Sequence, residues 1–297
     1  MTQNIHKRFR FRLGWTAIMH LSVDQKEKGR EKYRYEFWKA SWEDGKDFES
    51  LSNEKWRCEM DTQMVFRRYE IKYLLNRKQK ERVLRAMEPY MELDGYGRST
   101  IRNIYYDTDN YRLVRTSLEK PVYKEKLRVR SYRAASPEDK VFVELKKKYD
   151  SVVYKRRISF AEGRAMEYLA GEAAAPVRSH ITEEIDYFLQ FYQTLQPRVF
   201  LSYEREAFLT REPGEFRVTF DENILFREED LSLCCGVYGE ALLEPGQTLM
   251  EIKTPGGIPL WMVRILTEES IHKTSFSKYG NAYRTIFLRE RGEAVYA

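Results

Sequence analysis

Residues 122–160 read VYKEKLRVRSYRAASPEDKVFVELKKKYDSVVYKRRISF. Within them, Lys126-Leu127-Arg128-Val129-Arg130 and Val141-Phe142-Val143-Glu144-Leu145-Lys146 place charge on every second residue, with mostly apolar groups between. A period of two belongs to a strand with two unlike faces; a helix, turning about 100° per residue, would scatter the charges. One reading is a sheet whose polar face is solvated. The other is a barrel whose interior is lined by Lys, Arg and Glu, and the remaining strands decide between them.

The same binary code recurs along the chain. Glu70 and Lys72 share one parity; Lys126, Arg128 and Arg130 stand opposite Leu127 and Val129; Glu144, Lys146 and Lys148 stand opposite Val143 and Leu145. Lys155 and Arg157 oppose Tyr154 and Ile158, Arg217, Thr219 and Asp221 oppose Phe216, Val218 and Phe220, and Glu251 and Lys253 flank Ile252. Lys and Arg outnumber Asp and Glu on these faces, whereas solvated surfaces usually mix signs. Several like charges in a partly dry interior repel one another unless an anion answers them. A phosphate chain answers well: Arg forks grip its oxygens in pairs, Lys adds point charge, and a minority of Glu can hold a bridging divalent metal. The chain lacks GxxxxGK[ST], which excludes only the P-loop solution.

At 297 residues, one large or two modest domains are both expected. The net charge of +6 favours an anionic partner, yet 46 acidic residues stand against 52 basic ones, so a simple nucleic-acid coat is not expected. No stretch reaches the ~18 apolar residues of a spanning helix and no export signal opens the chain, so the expected location is the cytoplasm. The three cysteines form neither a disulfide framework nor a CxxC pair, and four scattered histidines give no zinc site.

Residues 1–63 lack a sustained period and are read as an extension of uncertain structure. Met60 and Met64, just before the patterned region, suggest that the assigned start lies too far upstream; loss of the fold on deleting residues 1–63 would overturn that reading. Residues 64–297 are read as one domain. Its expected helices are the run after the Asn76 cap with an apolar stripe of Val83, Leu84, Met87 and Met91, then residues 160–171, 182–195 with Thr182 at its start, 259–267 and 281–289. Expected late strands are 198–209, 215–224, a short one near Leu231, and 247–253. Tyr105, Tyr106, Phe188, Tyr192 and Trp261 are assigned to packing.

Six motifs in this order, Glu70-Ile71-Lys72, Lys126 to Arg130, Glu144-Leu145-Lys146, Tyr203-Glu204-Arg205, Met250-Glu251-Ile252-Lys253 and Phe276-Ser277-Lys278-Tyr279, resemble the VTC-type polyphosphate polymerase domain of the triphosphate tunnel metalloenzyme superfamily, over residues 64–290. The resemblance implies an α+β fold: a tunnel of eight antiparallel strands, a closed β-barrel with a basic interior, surrounded by helices. It implies transfer of the γ-phosphoryl of ATP onto a growing polyphosphate chain with Mn²⁺ or Mg²⁺, ATP and polyphosphate being the partners. Position by position, Lys72, Arg128, Arg130, Lys146 and Lys155 would bind the reacting phosphates, and Tyr203, Arg205, Arg217 and Lys253 would complete the cradle. Ser277 and Lys278 would close on a phosphate near one mouth; Glu251 would hold the metal, with Glu70 and Glu144 as weaker candidates. Lys147 and Arg156, of opposite parity, would stay outside. Hydrolysis of triphosphate or nucleoside triphosphate in the same tunnel, and polyphosphate binding without turnover, are the alternatives.

Overall fold

The computed structural model describes residues 5–10, 15–27, 30–42, 65–66, 69–150, 152–212 and 214–292. The chain divides into two units, Met1–Asp61 and Thr62–Ala297. In the first, β1 (Ile5–Arg10), β2 (Trp15–Glu27) and β3 (Arg30–Trp42) form an antiparallel sheet in sequence order. The β2–β3 register shifts twice, between Ala17 and Ile18 and between Val23 and Gln25. Met60 and Met64 lie outside the described residues.

The second unit runs β4 (Val65–Phe66), β5 (Tyr69–Leu75), α1 (Arg77–Met87), β6 (Met91–Leu93), β7 (Ser99–Asp107), α2 (Arg112–Leu118), β8 (Tyr123–Ser131), β9 (Lys140–Tyr149), β10 (Val152–Ala161), α3 (Glu162–Leu169), α4 (His180–Tyr192), β11 (Gln196–Thr210), β12 (Arg217–Arg227), β13 (Glu240–Ala241), β14 (Thr248–Thr254), α5 (Leu260–Glu268), β15 (Lys273–Thr274) and α6 (Lys278–Glu290). Twelve strands form one antiparallel sheet whose main path is β15-β5-β14-β12-β11-β7-β8-β9-β10-β4, with β13 on β12 and β6 on β11. The class is α+β. Among the described residues the expected closed barrel of eight strands does not form: the path ends at β15 and β4, and no pairing joins these two.

The sheet is nevertheless strongly curled. Glu70 on β5 and Lys146 on β9 lie six strands apart along the path, which would separate them by roughly 29 Å in a flat sheet. Their charged groups are 4.0 Å apart. The end strand β4 pairs with β10, and in sequence only two residues separate it from β5, which lies next to the other end of the path.

Helices cover both faces. Outside, Leu127, Val129, Val143 and Leu145 pack beneath α3 and α4 against Ala165, Tyr168, Ile185 and Phe188. Val218, Phe220, Met250 and Ile252 pack beneath α1 and α5 against Val83, Met87, Met262 and Ile265. On the inner side, Ile101, Val199, Leu201 and Leu249 are covered by Tyr279, Ala282 and Ile286 of α6 and Val114 of α2. Among the described residues no helix is long and apolar enough to cross a membrane.

Several element ends differ from expectation for local reasons. Asn76 caps α1 through a reciprocal capping box with Gln79, but Met91 leaves the expected stripe and opens β6, paired with Thr210. Helix α4 starts at His180 because Ser179, not Thr182, is the cap; Thr182 supplies the answering hydroxyl one turn later. Helix α6 starts at Lys278, three residues before the expected Asn281, because Ser277 caps it. Among the described residues no strand forms near Leu231.

Candidate active site

Cross-strand register gathers the alternating charges onto the inner face. Lys126 lies opposite Lys146 and Arg128 opposite Glu144 across β8 and β9; Lys155 lies opposite Lys146 and Arg157 opposite Glu144 across β9 and β10. On the other wall Lys72 faces Glu251, and Lys253 sits between Glu70 and Arg217. Lys147 and Arg156, one residue out of phase, reach the outer side: their charged groups each lie 2.7 Å from Glu184 of α4.

Two carboxylate centres organise the cations. Glu144, 1% exposed, stands 2.7 Å from Arg128 Nη2, 2.7 Å from Lys155 Nζ, 3.2 Å from Arg157 Nε and 4.0 Å from Arg130 Nη1. Burial opposes its ionisation, but the charges of Arg128, Arg130 and Lys155 prevail and hold it far below the usual carboxylate range. The second centre is the pair Asp221 and Glu251. Arg205 grips Asp221 with two bonds of 2.6 Å and reaches Glu251 at 3.3 Å. Lys278 Nζ lies 2.5 Å from Asp221 and 3.0 Å from Glu251, and Lys72 Nζ lies 3.3 Å from both Glu251 and Glu70.

Neutral groups join these centres. Arg130 donates to Asn103 Oδ1 at 2.9 Å and to the Tyr203 hydroxyl at 3.2 Å, and the Tyr203 ring lies under Arg205 and Lys278. Arg128 donates to the Tyr105 hydroxyl at 3.0 Å. Tyr105 is therefore a site residue as well as a packing one. Burial alone would raise its pKa, but Arg128, Lys126 and Arg130 bring it down to about 8. Its parity on β7 is the signal that could have found it, since it lies directly opposite Arg128. Asp221 and Arg157 share the expected face and also belong to the site.

Not every expected residue points at an open position. Arg217, 42% exposed on its side chain, pairs with Asp94 at 3.3 Å on the rim. The Ser277 hydroxyl accepts from Gly280 N at 3.2 Å and is the cap of α6. Among the described residues Lys126, Lys146 and Lys253 are site cations with little or no carboxylate answer. Lys146 has only Glu70 at 4.0 Å, and neither Lys126 nor Lys253 forms an ion pair among the described residues. Burial brings both Lys126 and Lys253 down to about 8.

These lowered values predict a pH dependence. A lysine that loses its proton more readily folded than unfolded binds fewer protons when folded, between about 8 and the ordinary 10.5. Stability therefore rises with pH across that window as the buried charge is relieved. Compared with Lys126→Met, the wild type should gain stability between pH 7 and pH 9.5 in paired thermal melts; an unchanged difference would refute the assignment.

The carboxylates bear on a metal. Among the described residues no group of three or more His, Cys, Asp or Glu converges. Mg²⁺ commonly takes one or two protein carboxylates and completes its shell with water and phosphate oxygens. Glu251 and Glu70, both beside Lys72 Nζ, provide an all-oxygen pair that fits such an ion. Glu144 has four cations within 4.0 Å and Glu251 has three within 3.3 Å, so Glu70, with only Lys72 and Lys146 beside it, is the least crowded of the three carboxylates.

Solved structures that resemble the chain include the following three. A candidate adenylate cyclase from Bacillus halodurans is 15% identical with a TM-score of 0.45, over 72% of this chain and 95% of that one. A candidate adenylate cyclase from Vibrio parahaemolyticus is 11% identical with a TM-score of 0.39, over 73% and 97%. A Pyrococcus horikoshii OT3 protein is 14% identical with a TM-score of 0.37, over 75% and 99%. No curated protein matches the chain. The model of the VTC domain matches residues 67–287, from the start of β5 to the body of α6, which includes every residue of the two carboxylate centres. By that match the chain belongs to the VTC domain family.

Proposed function

We propose that this protein synthesises polyphosphate, transferring the γ-phosphoryl of ATP to a growing phosphate chain and releasing ADP. The observation that carries the reading is the surplus of cations on the inner face, with Lys126, Lys146 and Lys253 lacking a close carboxylate. Phosphoryl transfer asks mainly for positioning and charge neutralisation, and that is what such a face supplies.

Arg128 and Arg130, steadied by Glu144, Tyr105 and Asn103, would present fork donors to the triphosphate. Lys72, Lys146, Lys155 and Lys253 would supply point charge along it, and Arg205 and Lys278 would bound the site at the Asp221–Glu251 end. Glu251 and Glu70 would hold Mn²⁺ or Mg²⁺, whose charge would offset that of the phosphate oxygens. Incubation with ATP and Mn²⁺ should give long chains on a gel and stoichiometric ADP. Free phosphate without chains would instead mean hydrolysis, and tight anion binding without ADP release would mean a binding module.

A further inference from the structure

Two polar atoms on β12 are buried without a partner among the described residues: the Thr219 hydroxyl and the Nε of Arg217. They stand two residues apart on the inner face, and neither is among the phosphate contacts proposed above. Thr219 is 1% exposed. A buried donor left unanswered costs free energy, so such atoms are rare in folded proteins and ask for an explanation.

The neighbours of Thr219 are engaged elsewhere or have nothing to offer. Across β11 it lies opposite Ala207, which carries no polar side chain. Across β14 it lies opposite Glu251, whose carboxylate is taken up by Lys72, Arg205 and Lys278. Two residues along β12, Asp221 is held by Arg205 and Lys278. In the other direction Arg217 gives Asp94 only its Nη2, at 3.3 Å. Lys253 lies directly opposite Arg217 and has no ion pair among the described residues.

What these three side chains lack is the same thing. The Nε–H of Arg217 and the ammonium of Lys253 only donate, and a hydroxyl donates as readily as it accepts, so one acceptor answers all of them. A metal ion would meet two positive charges and no free carboxylate. An anionic oxygen fits, and a hydrogen bond to an ionised acceptor is stronger than one between neutral groups. Lys253 is only partly buried, and with no carboxylate to anchor its ammonium it can swing aside to admit that oxygen.

We propose that Thr219 is a substrate-binding residue, its hydroxyl donating to a phosphate oxygen that also meets Lys253 Nζ and Arg217 Nε. The proposal rests on the reading of the inner face as a phosphate site and holds whether turnover yields chains, free phosphate or nothing. In a wall of charges Thr219 supplies direction: the lysines attract an oxygen from any angle, whereas a short β-branched hydroxyl fixes where it sits.

Thr219→Val removes the hydroxyl and keeps the shape of the side chain. Opposite signs are expected of it. Without ligand it melts about 3 °C above wild type, because an unanswered polar group has left the interior, while calorimetry shows inorganic triphosphate bound on the order of tenfold more weakly. Thr219→Ser, which keeps the hydroxyl, binds triphosphate within about twofold of wild type. A hydroxyl that serves only the fold, answered by a resident water, predicts a lower melt for Thr219→Val and unchanged affinity. A ligand-free melt no higher than wild type, an unchanged affinity, or a Ser variant as weak as the Val variant would each overturn the proposal. No arm measures turnover, so a protein that makes no chains leaves the Thr219 contact standing, and a Thr219 without the contact leaves the polymerase reading standing.

Discussion

Glu144→Gln should lower the melting temperature on the order of 10 °C, and inorganic triphosphate should recover most of the loss. The substitution keeps volume but turns one acceptor oxygen into an NH2 donor and removes the charge that Arg128, Arg130, Lys155 and Arg157 share. Breaking a buried ion pair typically costs about 3–5 kcal/mol, because the partner is left uncompensated. Here several cations are left facing one another. An added polyanion can take the place of the missing carboxylate, so its stabilising effect should be larger in the variant than in the wild type. Melts with and without triphosphate measure this; a variant as stable as wild type, or one that triphosphate does not preferentially rescue, would refute the role of Glu144 as counter-ion.

The second large effect separates two lysines that look alike in sequence. Lys146→Ala should lower turnover by about 10²–10³-fold with the melting temperature nearly unchanged, whereas Lys278→Ala should lose both. Lys146 is 46% exposed, has its nearest carboxylate 4.0 Å away, and faces two other lysines, so its loss relieves repulsion while it deprives the substrate of a contact. Lys278 is buried between Asp221 and Glu251, and burial notwithstanding, those two carboxylates raise its pKa. Without it they repel each other, with Arg205 and Lys72 left to separate them. Steady-state kinetics alongside melts distinguish the two; a destabilised Lys146→Ala or a fully stable Lys278→Ala would reverse their roles. Arg128→Ala should fall between them, since Glu144 keeps three other cations.

The strands of the inner wall were legible because alternation is a property of neighbours in sequence. Lys146 and Lys147, or Lys155 and Arg156, are assigned to opposite faces by parity alone, and Glu184 of α4 shows where the outward member goes. What was not legible depends on partners distant in the chain. Nothing near Glu144 in sequence distinguishes a metal ligand from a counter-ion; only the convergence of three strands does. Tyr105 reads as an ordinary aromatic until β8 brings Arg128 beside it. Ser277 reads equally as a phosphate ligand or a helix cap, and the structure shows the capping bond, its hydroxyl accepting from Gly280 N at the start of α6. The closed barrel failed for a different reason. Which strands curl together is encoded in their shared face, but whether the last pair joins depends on lengths and links that alternation does not record.

The short tie between β4 and β5 also bears on how the molecule comes together in time. Strands β7 to β10 follow one another as a meander, so the Arg128–Glu144 contact spans 16 residues and can form early. The opposite wall waits for chain ends to meet: the bond from Lys72 Nζ to Phe276 O spans 204 residues. In chain order the lysines and arginines of β8 to β10 come before Asp221 on β12 and Glu251 on β14, with Glu70 and Glu144 as the carboxylates already present. Any phosphate chain present before β12 and β14 are added would act as a scaffold on which the later strands assemble, so ligand and folding template would be the same molecule.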